Sequence, residues 1–339
     1  MYTDEDIDYA VTKGIFTDAS VAEFRALVSA SKNAPSVDEE NFKLIGGFND
    51  IFVVIACLLL LFSSFWVLRA ANEHLGLLFF VLLAWGLAEF FVLKRKMALP
   101  AIVLLLSFVG GVFALFLKLF PPVSETALAV ATAMSAISAY CHWQRFKVPI
   151  TIAAGFAAIV GFCVALLVLT FPGTRHWLAV VLFIFGFLAF FFAMYWDASD
   201  RGRVTYRSDV AFWLHLLSAP LIIHPVFSAI GVLERNENLS SMVVVIGLYL
   251  IITCISLAVD RRVFMVSSLI YVLYAISNLL KVYGAIGYSF ALTGVFIGSA
   301  LLLLSAFWHS ARTSLVNLLP TFVQRSLPEV TATRTHSKA

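Results

Sequence analysis

Ten long hydrophobic stretches, separated by short polar segments, dominate the chain between Ile51 and Trp308. Each is close to the roughly 20 residues that an α-helix needs to cross about 30 Å of hydrocarbon. Helices are the predicted form, because a chain inside lipid must satisfy its own backbone hydrogen bonds. The predicted spans are residues 51–68, 75–93, 98–118, 124–143, 149–171, 176–196, 209–232, 241–259, 263–283 and 286–308. The pattern therefore predicts an all-α membrane protein, a bundle of about ten transmembrane helices.

Polar sequence flanks the hydrophobic region on both sides. In the first part, Gly14 can end one helix and Thr17 can cap a second that carries Val21 and Phe24 at core spacing. The last part is amphipathic and is predicted to lie at the membrane interface, with a break at Pro320. The predicted parts are a small helical module, a transmembrane domain, and an interfacial segment with a polar tail, at residues 1–47, 48–310 and 311–339.

The number of Lys and Arg residues alternates between successive connections, and this alternation predicts the orientation. The chain has 23 such residues, and with ten spans 18 of them fall on the side that holds both termini. The other five, one per connection, are Arg69, Lys118, Arg175, Arg235 and Lys281. Because positive residues favour the cytoplasmic side, both termini are predicted to be cytoplasmic. Tryptophans near the span ends, Trp308 among them, agree with an interfacial aromatic belt.

The composition excludes several classes of protein. Hydrophobic residues make up 61% of the chain and charged residues 13%, so the lipid bilayer is the predicted surrounding. The net charge of +3 predicts no nucleic-acid partner, because the basic residues are spread over the connections. The four cysteines show no metal-ligand spacing, and we predict neither a metal site nor a cofactor. They are Cys57, Cys141, Cys163 and Cys254.

Short motifs accompany this layout near both ends of the chain: Gly14-Ile15-Phe16-Thr17 between the first two helices, and Leu318-Leu319-Pro320 and Leu327-Pro328 in the tail. With about ten spans between these motifs, the chain resembles uncharacterised bacterial polytopic membrane proteins that are grouped as a domain-of-unknown-function family. The resemblance implies a multi-pass protein of the bacterial inner (plasma) membrane. It implies no activity and no catalytic residues.

Polar side chains recur at helical spacing on the eighth and ninth spans, where lipid makes each of them costly. Those of the eighth span are Tyr249, Thr253, Ser256 and Asp260, and those of the ninth are Ser267, Tyr271, Tyr274, Asn278 and Lys281. The ninth-span set shares one face over about 21 Å, at 1.5 Å per residue. Two interpretations remain open: hydrogen bonds between helices in a dry bundle, or a water-accessible seam for a small solute or ion.

The seventh span carries two histidines and two prolines, His215, Pro220, His224 and Pro225. Proline removes a backbone donor and kinks a helix, and transporters often build sites at broken helices. The two histidines fall on opposite sides of an ideal helix, so they are not predicted to share a metal. Each is a candidate for proton coupling or binding, with a hydrogen-bonded packing role as the alternative.

Further charges lie in the second span and in the sixth connection. We predict that Glu89 forms an ion pair with an arginine of that connection, and a coupling carboxylate is the alternative. The connection carries Asp197, Asp200, Arg201, Arg203 and Arg207. Its ordinary role is to hold the topology and to cap the next helix. Alternatively, the two aspartates bind a divalent metal and the arginines bind a phosphate-bearing lipid or nucleotide.

These features favour one function and leave two alternatives. The leading hypothesis is a permease for a small solute or ion, with a path lined by the seventh to ninth spans. The first alternative is a membrane scaffold or sensor that does not transport, in which the N-terminal module binds a cytoplasmic protein or mediates self-association. The second is a membrane enzyme that acts on a phosphate-bearing lipid. We predict no catalytic residue.

Overall fold

The computed structural model describes residues 4–31, 48–120, 122–201, 203, 205–231, 239–282, 288–324 and 327–328. All secondary-structure elements that these residues form are helices. The chain divides into two compact units, Met1–Asn41 and Phe42–Ala339, and each is described by itself.

The first unit contains two short helices, α1 (Asp4–Thr12) and α2 (Asp18–Ser31). Gly14 lies between them at φ +70°, a conformation that side chains rarely adopt. Thr17 N–H donates to Ser20 Oγ (3.0 Å) and Ser20 N–H donates to Thr17 Oγ1 (3.2 Å), which caps α2. Val21 is buried, but Phe24 is 57% exposed. The core position predicted for Phe24 is therefore wrong, because two short helices offer little surface to cover it.

The second unit contains helices over every predicted span. They are α3 (Phe48–Arg69), α4 (Glu73–Ala88) with a π-helical continuation (Glu89–Lys94), α5 (Ala98–Leu119), α6 (Glu125–Phe146), α7 (Ile150–Thr170), a 3₁₀ helix (Pro172–Trp177), α8 (Leu178–Ser199), α9 (Tyr206–Ala229), α10 (Leu239–Val259), α11 (Val263–Val282), α12 (Ser289–Ala306), α13 (Trp308–Leu318) and α14 (Thr321–Gln324).

Eight segments of the described chain are long and apolar enough to cross a membrane, and a bent ninth is formed if α12 and α13 count as one span. The helix α6 has 22 residues, enough to cross, but its serines, threonines, histidine and glutamine lower its hydropathy. The structure is thus that of a polytopic membrane protein, and the number ten remains a prediction.

The helix axis turns sharply after Ala306. We predicted one span up to residue 308, but α12 ends at Ala306 and α13 starts at Trp308 with an angle of 75° between them. The interfacial depth predicted for Trp308 stays a prediction, but its side chain is only 1% exposed and therefore faces the protein. Its indole Nε1–H donates to the carboxylate of Asp260 at 2.9 Å, and this contact holds the start of α13 against the end of α10.

Close helix packing brings the polar connections of this unit together. α9 packs against α7, α8 and α11. Where α8 meets α9, a Cβ on Gly186 would lie 2.8 Å from Ile222 Cγ1 and 2.9 Å from the Leu221 carbonyl carbon, so only glycine permits this approach. The contact lies next to Pro220, inside α9. As a result, the end of α8, the start of α9 and the turn between α10 and α11 are neighbours.

Candidate functional site

Six ionisable side chains and one indole meet where α8 and α10 end and α9 and α11 begin. The side chain of Arg203 is 11% exposed, and the other members are buried more completely. These residues, called the charged cluster below, are Asp197, Arg203, His215, Asp260, Arg261, Trp308 and Arg312. Buried charges are costly unless they are paired, so the pairing decides what the cluster can do.

Asp197 connects three elements in the first half of the cluster. Its Oδ1 accepts a hydrogen bond from Arg261 Nη2 at 2.7 Å, and its Oδ2 lies 2.9 Å from His215 Nε2. Arg261 Nη2 also donates to the carbonyl of Ser208 at 3.1 Å. Since a carboxylate beside a guanidinium is an acceptor only, His215 Nε2–H is the donor. Asp197 thereby joins α8, α9 and the α10–α11 turn.

The other side of the His215 ring is apolar. The rings of Phe190 and Phe264 lie 5.6 Å and 5.7 Å from it, centroid to centroid. Within the described part of the chain, His215 Nδ1 has no hydrogen-bond partner. The imidazole therefore has a polar contact at one nitrogen and an apolar enclosure at the other, in a site that is 0% exposed.

Asp260 organises the second half of the cluster. Its Oδ2 accepts from Arg203 Nη1 at 2.8 Å, and its Oδ1 accepts from Trp308 Nε1 and lies 3.5 Å from Arg312 Nε. Arg203 Nη2 also donates to the carbonyls of Asp260 (3.1 Å) and Val259 (3.3 Å). Arg203 and Asp260 both have positive φ, 52° and 61°. Such backbone strain in residues with side chains persists only where surrounding contacts enforce it.

The arginines of the cluster hold permanent charge. Burial lowers the pKa of Arg203, and the neighbouring Arg261 lowers it further, whereas Asp260 and Asp197 act in the opposite direction. A guanidinium nevertheless stays protonated in proteins. The arginines therefore keep their positive charge at any pH near neutrality, and their attraction to Asp197 and Asp260 persists.

The chain returns to the charged cluster after α13. Arg201 Nε donates to the carbonyl of Leu327 at 2.9 Å, and Arg312 Nη2 donates to the carbonyl of Pro328 at 2.8 Å. The Leu327 side chain is 3% exposed and packs in one hydrophobic cluster with Val259. This contact, called the C-terminal clasp below, places residues 327–328 over the end of α10.

The structure unites residues that the sequence placed in two separate sets. Asp197 and Arg203 were candidates in the sixth connection, and His215 and Asp260 were candidates for a path. Of the remaining loop residues, Asp200 Oδ2 accepts from the Thr205 N–H (2.8 Å) and hydroxyl (2.7 Å). Arg207 is exposed in the first turn of α9. Both aspartates proposed as metal ligands are thus engaged by other groups.

Glu89 lies in a different place from the one predicted. Its carboxylate forms two hydrogen bonds of 2.8 Å with Arg145, one to Nε and one to Nη2. The predicted pairing with Arg201, Arg203 or Arg207 is wrong. The reason is that α4 and α6 both pack against α5, which brings the end of α6 to the start of the π-helix.

On α11, Tyr271 contacts α9 through its hydroxyl and its ring, and Tyr271 and Tyr274 share a hydrophobic cluster with residues of α9 and α10. Tyr271 OH lies 2.7 Å from His224 Nδ1, and the Tyr271 ring stacks on Phe227 at 4.5 Å. Tyr274 packs against the same hydrophobic cluster. Ser267 and Asn278 are partly buried, and the side chain of Lys281 lies outside the described part of the structure.

The candidate residues of α10 have other surroundings. Tyr249 is buried in a hydrophobic cluster with Val272 and Trp308, and its hydroxyl has no hydrogen-bond partner among the described residues. The Thr253 hydroxyl donates to the Tyr249 carbonyl at 2.8 Å within the helix. Ser256 Oγ donates to the carbonyl of Arg261 at 2.5 Å. Tyr249 and Tyr271 therefore do not face each other, and the two polar stripes do not form one shared seam at these positions.

Sequence reasoning missed three members of the charged cluster: Arg261, Trp308 and Arg312. Arg261 was counted among the residues that set the topology, Trp308 was assigned to the interfacial belt, and Arg312 was assigned to the tail. One signal was available for Arg261, because only residues 260–262 connect α10 to α11. A turn of three residues keeps its charges close to the helix ends, where they must find partners inside the protein.

The described residues contain no group of three or more His, Cys, Asp or Glu side chains that could hold a metal ion. Comparison with protein-family models, with curated proteins and with solved structures gives no match to this chain. The resemblance stated above therefore stays a prediction. The helices and their hydropathy define the class, a polytopic membrane protein with a buried charged cluster at one end of α8–α11.

Proposed function

We propose that the protein is a bacterial inner-membrane permease for a small solute or ion. In this proposal the chain crosses the membrane ten times with both termini in the cytoplasm. The path follows α9, α10 and α11, and the charged cluster closes its cytoplasmic end. The N-terminal module would then stand in the cytoplasm, where a protein partner or a second copy can reach it.

The observation that carries the proposal is the burial of the charged cluster on the helices that also hold His224, Tyr249 and Tyr271. Ionisable residues inside membrane proteins are rare and commonly mark solute or proton pathways. The ion pairs of Asp197 and Asp260 join the α8–α9 connection, the α10–α11 turn and the start of α13. These helix ends cannot separate without breaking the pairs, so in this proposal the charged cluster is the gate of the path.

A second pair of polar groups lies farther along α9. His224 is nine residues from His215, about 14 Å at 1.5 Å per residue, and it contacts Tyr271. Pro220 lies between the two histidines and removes one backbone hydrogen bond of α9. This helix could therefore bend between the charged cluster and the His224–Tyr271 pair when the gate opens.

The test is aqueous thiol labelling of cysteines introduced at Ser267 and Tyr274, in a background without the four native cysteines. Each is labelled in the otherwise native protein and with Asp260→Asn, which weakens the contact to Arg203. We expect slow labelling in the native background and labelling at least about tenfold faster with Asp260→Asn, because an opened gate admits water. Val266→Cys and Ile270→Cys, on exposed positions of the same helix, are the lipid-facing controls.

Equal and negligible labelling at Ser267 and Tyr274 in both backgrounds would mean a dry interface and would remove the permease proposal.

The C-terminal clasp favours a second candidate, a membrane sensor or scaffold in which displacement of residues 327–328 transmits a signal. Solute flux into vesicles separates the two, because only a permease produces flux that Asp260→Asn changes.

A further inference from the structure

A groove of about 440 Å³ runs between α3, α4 and α5, helices that contribute nothing to the charged cluster. This volume lies within the roughly 300–1,000 Å³ of sites that bind small molecules. Its lining includes Phe62 and Phe65 of α3, Phe80 of α4, and Leu106 and Gly110 of α5, and Ser107 supplies the single polar side chain of the lining.

The groove is open because of glycine on α5. A Cβ placed on Gly110 meets no atom within 4 Å, so the space beside it is unfilled. Phe62 and Leu106 are each 52% exposed at its sides. All three helices belong to segments that are long and apolar enough to cross a membrane. A concavity of this kind in a bilayer is reached by apolar chains and not by water.

A cation lies at one end of the groove. Arg69 is the last residue of α3, four residues after Phe65, and its guanidinium is 5.8 Å from the Phe65 ring and 4.4 Å from the Trp66 ring. Arg69 forms no ion pair with any residue that the structure describes. Trp and Arg at a helix end are the side chains that occupy the headgroup level of a membrane.

We propose that this groove binds one acyl chain of an anionic phospholipid, with the lipid phosphate at Arg69. The apolar lining matches the chain, and the guanidinium matches the charge of the headgroup. The lipid would fill the space that Gly110 leaves open and would cover Phe62 and Phe65. Its site is separate from the proposed path, so either proposal can fail while the other holds.

The test is native mass spectrometry of the full-length protein, titrated with phosphatidylglycerol or with zwitterionic phosphatidylcholine. We expect one lipid to bind more tightly than the rest, with about a fivefold preference for phosphatidylglycerol, the effect of a single arginine at an anionic surface. Arg69→Gln should abolish this preference and leave phosphatidylcholine binding unchanged. Gly110→Leu, which fills the groove, should weaken the first binding event of both lipids at least about tenfold.

Gly86→Leu is the matched control, because Gly86 also has no atom within 4 Å of an added Cβ but does not line the groove. Equal lipid binding by the native protein and by Gly110→Leu would overturn the proposal. As a second measurement on the native protein, phosphatidylglycerol with a diazirine on its acyl chain should cross-link to residues 58–65 and 103–114. Cross-links elsewhere only, or a dimer that Gly110→Leu dissociates, would show that lipid is not the occupant.

Discussion

At the residue scale, the charged cluster depends on each buried charge having an opposite partner. Asp197 is in contact with Arg261 and His215, and Asp260 with Arg203 and Trp308. Replacing a whole buried pair by apolar residues is often tolerated, whereas removing one partner leaves an uncompensated charge. The cluster is therefore sensitive to single substitutions in a way that exposed ion pairs are not.

We predict that Arg261→Met lowers the free energy of unfolding in detergent by about 3–5 kcal/mol, because Asp197 stays buried without its cation. The measurement is equilibrium denaturation followed by circular dichroism. Arg145→Met is the control, since its pair with Glu89 is exposed to the surroundings and should change the unfolding midpoint little.

The double variant Asp197→Leu with Arg261→Met should recover most of that loss, because no buried charge remains unpaired. An Arg261→Met protein as stable as the native one would show that the pair contributes nothing to the fold.

The sequence could predict the costly residues but not their partners. Asp197, His215 and Asp260 were candidates because an ionisable group within or beside an apolar span is costly and usually has a structural or functional role. The contacts join residues that are 18, 57 and 64 positions apart. Such pairings depend on which helices pack together, and the hydropathy of a single span carries no information on its neighbours.

At the element scale, helix positions follow from hydropathy, but changes of direction do not. A helix lies over every predicted span, because lipid requires internal backbone hydrogen bonding. The apolar run through Leu301–Leu304 is interrupted before Phe307 only by Ser305, which gives no signal for a turn, and the 75° turn after Ala306 was missed. Burial of Trp308 against Asp260, a tertiary contact, accompanies that turn.

We predict that Gly186→Ala lowers the free energy of unfolding by about 1–3 kcal/mol, because the new methyl group overlaps the backbone of Leu221 and Ile222. Thermal unfolding in detergent measures it. Gly247→Ala is the matched control in α10, where an added Cβ meets nothing within 4 Å. There we expect no loss, or a gain of up to about 1 kcal/mol from helix propensity. Equal effects at both positions would contradict the close α8–α9 approach.

At the scale of the whole second unit, the C-terminal clasp links the last described residues to helices that begin far earlier. Leu327 packs with Val259 of α10 and Val316 of α13, and its carbonyl accepts from Arg201. The interfacial position of this segment stays a prediction, and the structure shows contacts of Val316, Leu327 and Pro328 with the rest of the unit. The hydrogen bonds from Arg201 and Arg312 to backbone carbonyls could not be predicted from the sequence, because every residue has a carbonyl.

We predict that Leu327→Ala exposes the site beneath it. In a background with Val316→Cys as the single cysteine, thiol labelling should become about tenfold faster, because loss of a buried leucine side chain costs about 2–5 kcal/mol and favours local opening. Leu318→Ala is the control, since Leu318 is 83% exposed. Unchanged labelling in Leu327→Ala would show that the clasp does not protect α13.

The wide separation of these partners also sets an order of biosynthesis. Asp197 is translated 64 residues before Arg261, and Arg201 is translated 126 residues before Leu327. At about 5–20 residues per second, Asp197 waits about 3–13 s for its guanidinium. During that interval Asp197 can contact His215, which follows it by 18 residues, but the pair with Arg261 forms only after α10 has been made. Assembly of α8–α13 should accordingly finish only after Pro328 has left the ribosome.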